Sequence, residues 1–488
     1  MKIILYTLLL VACASCSKPS TKNISSQVLS LNLSDDPVSL DPRLVRSLKD
    51  LTVVKQLYEG LMRLDEKGIP QPALASSVEI SDDLLTYTFH LREAFWSHAR
   101  PITAHDFVKS WKQTLSPSFA SDYAYMLYHI KHAEAKDTQT LVVTLHAPTP
   151  YFLELTAFPT LFPVRSEAFS GPFCLEYWKP QTEIVLKKNP LYWDSQHVTV
   201  EKMTFSIIAD SHTEGQLFEK GDLDWLGQPL SHNISPELLE KLKKKEKLES
   251  YPVAGTLWFT FNTTQQPFDN PNIRKAFCYS IDRAAIVTHL LCGHQIPAST
   301  PIPRCMAMNS PSYFSDHDVE MALTYFEKGL AEKGWTRETF PRTLLSYTHS
   351  ERDNKIVQYV QQQWSEALGI RVELQALEGQ VCQKHMRQGL HQIGIGQWIA
   401  DFSSPLAFLE IFKHASNGIN NTGWEDPIYN SLLEANLLQQ AEAYLMDAMP
   451  IAPLYHFSFD YAKKPYVQGV ILSPYGIADF KTAYIQSN

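Results

Sequence analysis

Apolar residues recur at every second position in some stretches of the chain and at every third or fourth in others. In Leu85-Thr-Tyr-Thr-Phe-His-Leu91 the apolar members are Leu85, Tyr87, Phe89 and Leu91, which predicts a strand with one buried face. Residues 141–145, 183–187, 203–208 and 257–262 predict further strands. Between them, Thr103-Ala-His-Asp-Phe-Val-Lys-Ser-Trp-Lys-Gln-Thr-Leu115 predicts a helix. Thr103 is its N-cap, Asp106 stands at the third helical position to close a capping box, and Phe107, Val108, Trp111 and Leu115 form the apolar stripe. Ser235-Pro236 opens a second, highly charged amphipathic helix over 236–247, whose Lys run reads as a solvated face. Residues 272–289 predict a helix interrupted at Asp282-Arg283.

One stretch stands out. Gln392-Ile-Gly-Ile-Gly-Gln-Trp-Ile-Ala-Asp401 alternates strongly, with Ile393, Ile395 and Ile399 on a core face and Gly394, Gly396, Trp398 and Ala400 on the other. Glycines on that second face permit close approach by a ligand backbone. Asp401 follows at the strand's end. Strict alternation would place it on the isoleucine side, so a ligand-facing role requires the strand to have ended. The competing reading makes Asp401 a helix cap, but Ser404-Pro405 already supplies a cap and a first-position Pro.

Length and composition narrow the class. At roughly 150 residues per domain, 488 residues suggest about three domains. With 44% hydrophobic and 19% charged residues the chain is globular rather than disordered. A net charge of -9 argues against nucleic acid as a partner. No linker, repeat or low-complexity segment divides the chain, so the domains are expected to be built from non-contiguous segments.

The first residues read as a leader. Lys2 and the apolar run that follows it have the shape of a secretion signal, too short to span a membrane. Leu10-Val11-Ala12-Cys13 resembles a bacterial lipobox, and Cys13-Ala14-Ser15-Cys16 is a weaker match. The expectation is a signal peptide over 1–12, a lipid on Cys13 (or Cys16), a polar tether to residue 27, and a soluble body held at a membrane. Cys174, Cys278, Cys292, Cys305 and Cys382 form no CxxC pair, which argues against a thiolate zinc site. Export permits a disulfide, and Cys292 and Cys305, bracketing a Pro-rich turn, are the pair to test, against the simpler reading of free thiols.

No catalytic signature emerges: GxSxG, HExxH, the P-loop and the Rossmann fingerprint are all missing from the sequence. His129 with His132, and His385 with His391, read as chance pairs rather than metal ligands. Asp35-Asp36 and Asp82-Asp83 read as turn residues. Neither a metal nor a cofactor is expected.

A resemblance then emerges from an ordered series: Ser39-Leu-Asp-Pro42, Tyr58-Glu-Gly-Leu61, Pro72-Ala-Leu-Ala75, Tyr87-Thr-Phe-His-Leu-Arg92, Ile102-Thr-Ala-His-Asp-Phe-Val-Lys-Ser-Trp111, Gly171-Pro172, Asn189-Pro-Leu-Tyr-Trp193, Gly221-Asp-Leu-Asp224, Pro267-Phe-Asp-Asn-Pro-Asn-Ile-Arg-Lys-Ala276, Trp398-Ile-Ala-Asp401 and Asn421-Thr-Gly-Trp424. In that order, across about 400 residues, they resemble the family 5 extracellular solute-binding proteins, the oligopeptide- and dipeptide-binding components of ABC importers. The resemblance implies an α/β fold: a type II periplasmic-binding-protein clamshell of two lobes with an extra third domain. By motif order the first lobe comprises 28–48, 166–257 and 456–488, the middle domain 49–165 and the second lobe 258–455. Residues 257–262 and 452–459 are the expected hinge strands.

It also implies a receptor without chemistry of its own, with peptides and the permease subunits of an ABC transporter as partners. The protein is expected in the bacterial periplasm or at the cell surface, lipid-anchored and monomeric. The same fold carrying a murein peptide, haem or a nickel chelate is the alternative, and a secreted hydrolase the alternative of another class. In the peptide-binding branch the Asp of the Trp398–Asp401 motif holds the ligand's α-amino group. The candidate ligand residues are Asp401, Trp398, Ala400, Gly396, Asp36, Asn421 and Trp424. Tyr125 and Tyr128 fall in a region that touches ligand in some relatives and are expected to pack instead; Asn262 is read as a ligand contact or a loop-fixing residue. The chain departs from the family in a short 163–172 segment, in a shortened 429–441 stretch, and in Phe402-Ser-Ser-Pro405, where the family more often has Tyr and another Asp or Asn.

Overall fold

The computed structural model describes residues 27–121, 123–306, 308 and 311–486. The expected leader, Cys13, Cys16 and nearly all of the tether lie outside the described residues. Among the described residues no helix is long and apolar enough to cross a membrane.

Three larger sheets organise the chain. The first is four-stranded, in the order Val28–Leu33, Lys202–Ile207, Glu183–Lys188, Phe173–Lys179. Its first pair is parallel and the others antiparallel. Leu29, Leu31 and Leu33 of one strand and Met203 and Phe205 of its neighbour are fully buried, as period-two alternation demands. The second sheet is antiparallel, in the order Ala75–Ile80, Thr86–Leu91, Thr140–Leu145, Ile130–Ala135. Tyr87, Phe89, Leu91, Leu141, Val143 and Leu145 supply its buried face. The helix Ala104–Thr114 packs Phe107 and Trp111 into the same core. Asp106 closes the capping box by accepting the Thr103 N–H at 2.9 Å. The stripe is narrower than expected: Leu115 lies past the helix end and is exposed.

The third sheet is built on two 13-residue strands, Glu249–Phe261 and Ile451–Lys463, paired antiparallel. At one end Trp225–Gly227 adds to Tyr461–Lys463; at the other, Ile393–Ile399 adds to Gly255–Phe261, followed by Thr343–Thr348 and Val372–Leu377. These are the strands expected at 257–262 and 452–459, and both run longer. The strand Glu249–Phe261 contains Pro252 and Gly255, residues that ordinarily weaken a strand. In the structure the register shifts between Pro252 and Thr256, and Gly255 is needed because a Cβ there would sit 2.3 Å from the Phe457 ring.

Buried charge ties the first segments to the tail. Arg63 donates to both oxygens of Asp479, each at 2.6 Å, and to both oxygens of Glu59, each at 2.9 Å. Tyr192 donates to Glu59, and the Lys481 N–H reaches Asp479 at 2.9 Å. The positive charges of Arg63 and Lys55 overcome burial and hold the Asp479 carboxyl down at about 2. Arg274, also buried, donates to the carbonyls of Phe268, Ala448 and Met449 and so ties its helix to the chain ahead of Ile451.

The Cys292–Cys305 disulfide is not formed: Cys174, Cys278, Cys292, Cys305 and Cys382 are free thiols.

Candidate functional site

Adjoining cavities form a trough beside the third sheet, bordered by segments that precede the helix Leu48–Leu57 and by the loop 228–232. One chamber, of about 540 Å³, is lined by Gln397–Asp401, by Arg46 and Ser47 ahead of the helix Leu48–Leu57, by Tyr123 and Phe158, and by the loop 228–232. A second, of about 620 Å³, shares Gln228, Ser231 and His232 with it and extends to Arg352 and Asp353 at the start of the helix Glu351–Leu368. A smaller space between them touches Gln397, Ile399 and Arg352.

The charges in the larger chamber are already paired. Arg352 holds Asp353 at 2.8 Å, Lys355 holds Glu351 at 2.7 Å and His294 meets Asp460 at 2.5 Å. The chemistry lies in the other chamber, at Asp401. Its strand ends at Ile399, so Asp401 is released from the alternation that would have turned it toward the isoleucine core. The following helix, Leu406–Leu409, starts beyond Pro405, so Asp401 does not cap it. Asp401 is only 7% exposed. One hydroxyl, that of Tyr125, donates to it at 2.6 Å. Burial pushes its carboxyl up to about 7, against the pull of the Tyr125 hydrogen bond and the charge of Arg46. Arg46 itself lies over the Tyr123 ring at 5.9 Å. A carboxylate so poorly compensated favours an arriving cation that brings its own hydrogen-bond donors.

The strand leading to Asp401 offers a backbone edge. On one side Ile393–Ile399 pairs with Gly255–Phe261 along its whole length. On the other, pairing with Thr343–Thr348 covers Ile393 and Gly394 only. Past Gly394 that edge has no ladder partner among the described residues, so an extended chain can add there.

Trp398 lines the Asp401 chamber and is half-buried, with an indole N–H that has no partner among the described residues. Ala400 lines it too and is 1% exposed; its N–H is used by the Ala254 carbonyl at 2.8 Å. Gly396 and Asn421 face a side cavity of about 40 Å³, together with Trp398. The close approach expected at the glycines is made by the protein itself. A Cβ on Gly396 would sit 2.4 Å from the Trp258 indole nitrogen, and one on Gly394 2.3 Å from the Met386 sulfur.

Two candidates are not brought to the trough. Asp36 spends both oxygens on the Phe173–Lys179/Glu183–Lys188 hairpin, accepting from Trp178 at 2.8 Å and from the Gln181 N–H at 2.6 Å. Trp424 packs edge-on against Tyr429 at 5.0 Å and fixes its own loop. Asn262 likewise holds a loop, donating to the Gly389 and His391 carbonyls. Tyr128 is largely exposed, whereas Tyr125, expected to pack, reaches the acid. Arg46, Tyr123, Phe158 and the loop 228–232 carried no local signal: they reach the chamber only through the tertiary fold.

The family model described as bacterial extracellular solute-binding proteins, family 5 Middle, matches residues 70–420. The oligopeptide-binding protein OppA of Bacillus subtilis is 37% identical, over 99% of this chain and 98% of its own. Among solved structures, Haemophilus influenzae OppA in complex with RPPGFSPFR superposes with a TM-score of 0.83 at 26% identity, covering 95% of this chain and 99% of that one. The murein tripeptide binding protein MppA of Escherichia coli gives 0.85 at 26% identity, with 95% and 99% covered. Its unliganded open form gives 0.74 at 26% identity, with 94% and 98% covered. The fold is therefore the two-lobed clamshell with a third domain.

Proposed function

The chain belongs to the family 5 bacterial extracellular solute-binding proteins, and on that premise we propose that it is a peptide receptor of an ABC importer. The lobes are 28–48, 166–257 and 456–488 on one side and 258–455 on the other, with 49–165 as the middle domain. Glu249–Phe261 and Ile451–Lys463 form the hinge. An extended peptide lies in the trough, its main chain against the free edge beyond Gly394, its ammonium against Asp401. Backbone pairing grips any sequence, and the side chains fall into the adjoining chambers. Trp398 and Ala400 line the N-terminal end of the peptide. Closure around the ligand shifts an open–closed equilibrium, and the closed shape delivers the peptide to the permease subunits.

The protein performs no chemistry on its cargo. It sits in the periplasm or at the cell surface as a monomer, tethered by a lipid on Cys13 (or Cys16). The relatives named periplasmic, among them OppA of Salmonella typhimurium, support an extracytoplasmic location.

One observation carries this reading: a buried carboxylate in an interlobe chamber, with a single phenol donor among the described residues and its proton affinity raised to about 7. Mass spectrometry of material released from native protein tests it directly. Peptides with free amino termini are expected. Haem, a nickel chelate or peptide fragments produced in stoichiometric amounts would overturn it. A murein peptide presents the same ammonium and would refine the cargo rather than change the mechanism.

A further inference from the structure

The loop that carries Asp401 is gripped at three consecutive residues. Tyr125 donates to Asp401 at 2.6 Å. Tyr151 stacks on Phe402, ring centroids 4.0 Å apart and planes 6° apart. Glu154 accepts the N–H of Ser403 at 2.8 Å and its hydroxyl at 2.6 Å. All three gripping residues come from the 49–165 segment, and all three gripped residues come directly after the strand Ile393–Ile399, across the trough. A third donor, the Tyr475 hydroxyl at 2.8 Å, fixes the orientation of the Glu154 carboxylate from the C-terminal tail.

The chemistry of these contacts suits something that opens and closes. Ser403 is exposed, so its bonds to Glu154 can pass to water without disturbing a core. Tyr151 and Phe402 are buried at 7% and 5% exposure, and parting them would wet two aromatic faces. The overall shape lies nearer MppA at a TM-score of 0.85 than its unliganded open form at 0.74, so the contacts belong to a shape other than the open one.

We propose that Glu154, with Tyr151, is a latch: it clamps Phe402 and Ser403 against the middle domain when the lobes close, positions Asp401 in the chamber, and sets how long the closed shape lasts. Tyr151, Glu154, Phe402 and Ser403 are not among the residues lining the chambers, so the latch itself contributes alike for every cargo. This deepens the peptide-receptor reading and rests on it for its biological purpose, but the contacts stand without a ligand.

Single-molecule energy transfer between dyes on the two lobes of the full chain tests the latch, with and without tetra-alanine. Ser403→Asp sets a second carboxylate against Glu154 at an exposed position, where folding is not at stake. Loss of the paired charge-assisted bonds should shorten the closed-state dwell time about tenfold, in the empty protein and with tetra-alanine alike. Glu154→Ala should do the same, and Glu154→Gln, which keeps an acceptor for Ser403, should restore most of the dwell time. Equal dwell times in wild type and Ser403→Asp overturn the latch. If tetra-alanine leaves the wild-type dwell time unchanged, the peptide-receptor reading is weakened, while the ligand-free dwell times still decide the latch.

Discussion

Asp479 and Asp401 are buried almost alike, at 2% and 7% exposure, yet the protein treats them in opposite ways. Asp479 receives a bidentate Arg63, a backbone N–H and the nearby charge of Lys55, and its carboxyl falls to about 2. Asp401 receives one phenol and the distant influence of Arg46, and its carboxyl rises to about 7. The first arrangement is complete and fastens the segment 55–63 to the C-terminal tail. The second is incomplete and faces a chamber. Burial of a carboxylate is therefore not in itself a mark of function; burial without matching donors, beside space for a ligand, is.

The largest effect should come from breaking the complete arrangement. Arg63→Ala strands the carboxylates of Asp479 and Glu59 in the interior, and removal of one partner of a buried pair costs about 3–5 kcal/mol. Chemical denaturation should show that loss. A change under 1 kcal/mol would mean that the network is not what secures the tail.

The two acids should also give opposite pH signatures. The folded pKa of Asp479 is depressed, so its stabilisation is full above the unfolded value near 4 and disappears as pH falls through about 2. That of Asp401 is raised, so between about 4 and 7 the folded state holds the extra proton and stability declines as pH rises through that window. Asp401→Asn removes the penalty. By linkage the variant should gain up to about 4 kcal/mol over wild type at pH 8 and little at pH 4. Melting curves across that range check it; a gain independent of pH would contradict the assignment.

How far these features were legible in the sequence depends on the range of the interactions that create them. The helix Ala104–Thr114 follows from the local pattern around Thr103 and Asp106, and it forms as read. The two long strands form where they were expected but run longer; Glu249–Phe261 continues through Pro252 and Gly255 because a register shift and the Phe457 ring across the sheet accommodate them. Asp401 was legible as an acid at the end of an alternating strand. Its partner was not: Tyr125 lies 276 residues away, and nothing near Tyr125 marks it as other than a packing aromatic. Asp36, read both as a turn residue and as a candidate ligand acid, shows the reverse difficulty. An acid near the right motif read as a ligand contact, while the hairpin that uses both its oxygens lies more than 140 residues downstream.

Ligand binding sharpens the contrast further. Asp401→Ala should weaken a free-amine peptide at least about tenfold in calorimetry, about 1.4 kcal/mol, and leave an N-acetylated peptide much less affected. Equal losses for both peptides would remove the ammonium from the account. In wild type the ammonium requires the charged carboxylate, so affinity should fall as pH drops below about 7, with proton release on binding in that range. A flat profile between pH 5 and 8 would contradict it.

The smallest expected effect is the most discriminating. Tyr125→Phe removes the one hydroxyl that donates to Asp401 and leaves the ring in place. Without it the carboxyl should titrate still higher, because that hydrogen bond is one of the two influences opposing burial. Peptide affinity, once corrected for the ionised fractions of the acid and of the peptide amine, should change by only about 0.5–1.5 kcal/mol, the range of one hydrogen bond. At pH 6 the loss should be larger, since the variant must surrender more of a bound proton before it can accept the ammonium. The pH at which affinity reaches half its plateau should therefore move upward in Tyr125→Phe. An unmoved midpoint would mean that Tyr125 merely packs beside Asp401, and that the acid's proton affinity is set by burial and the charge of Arg46.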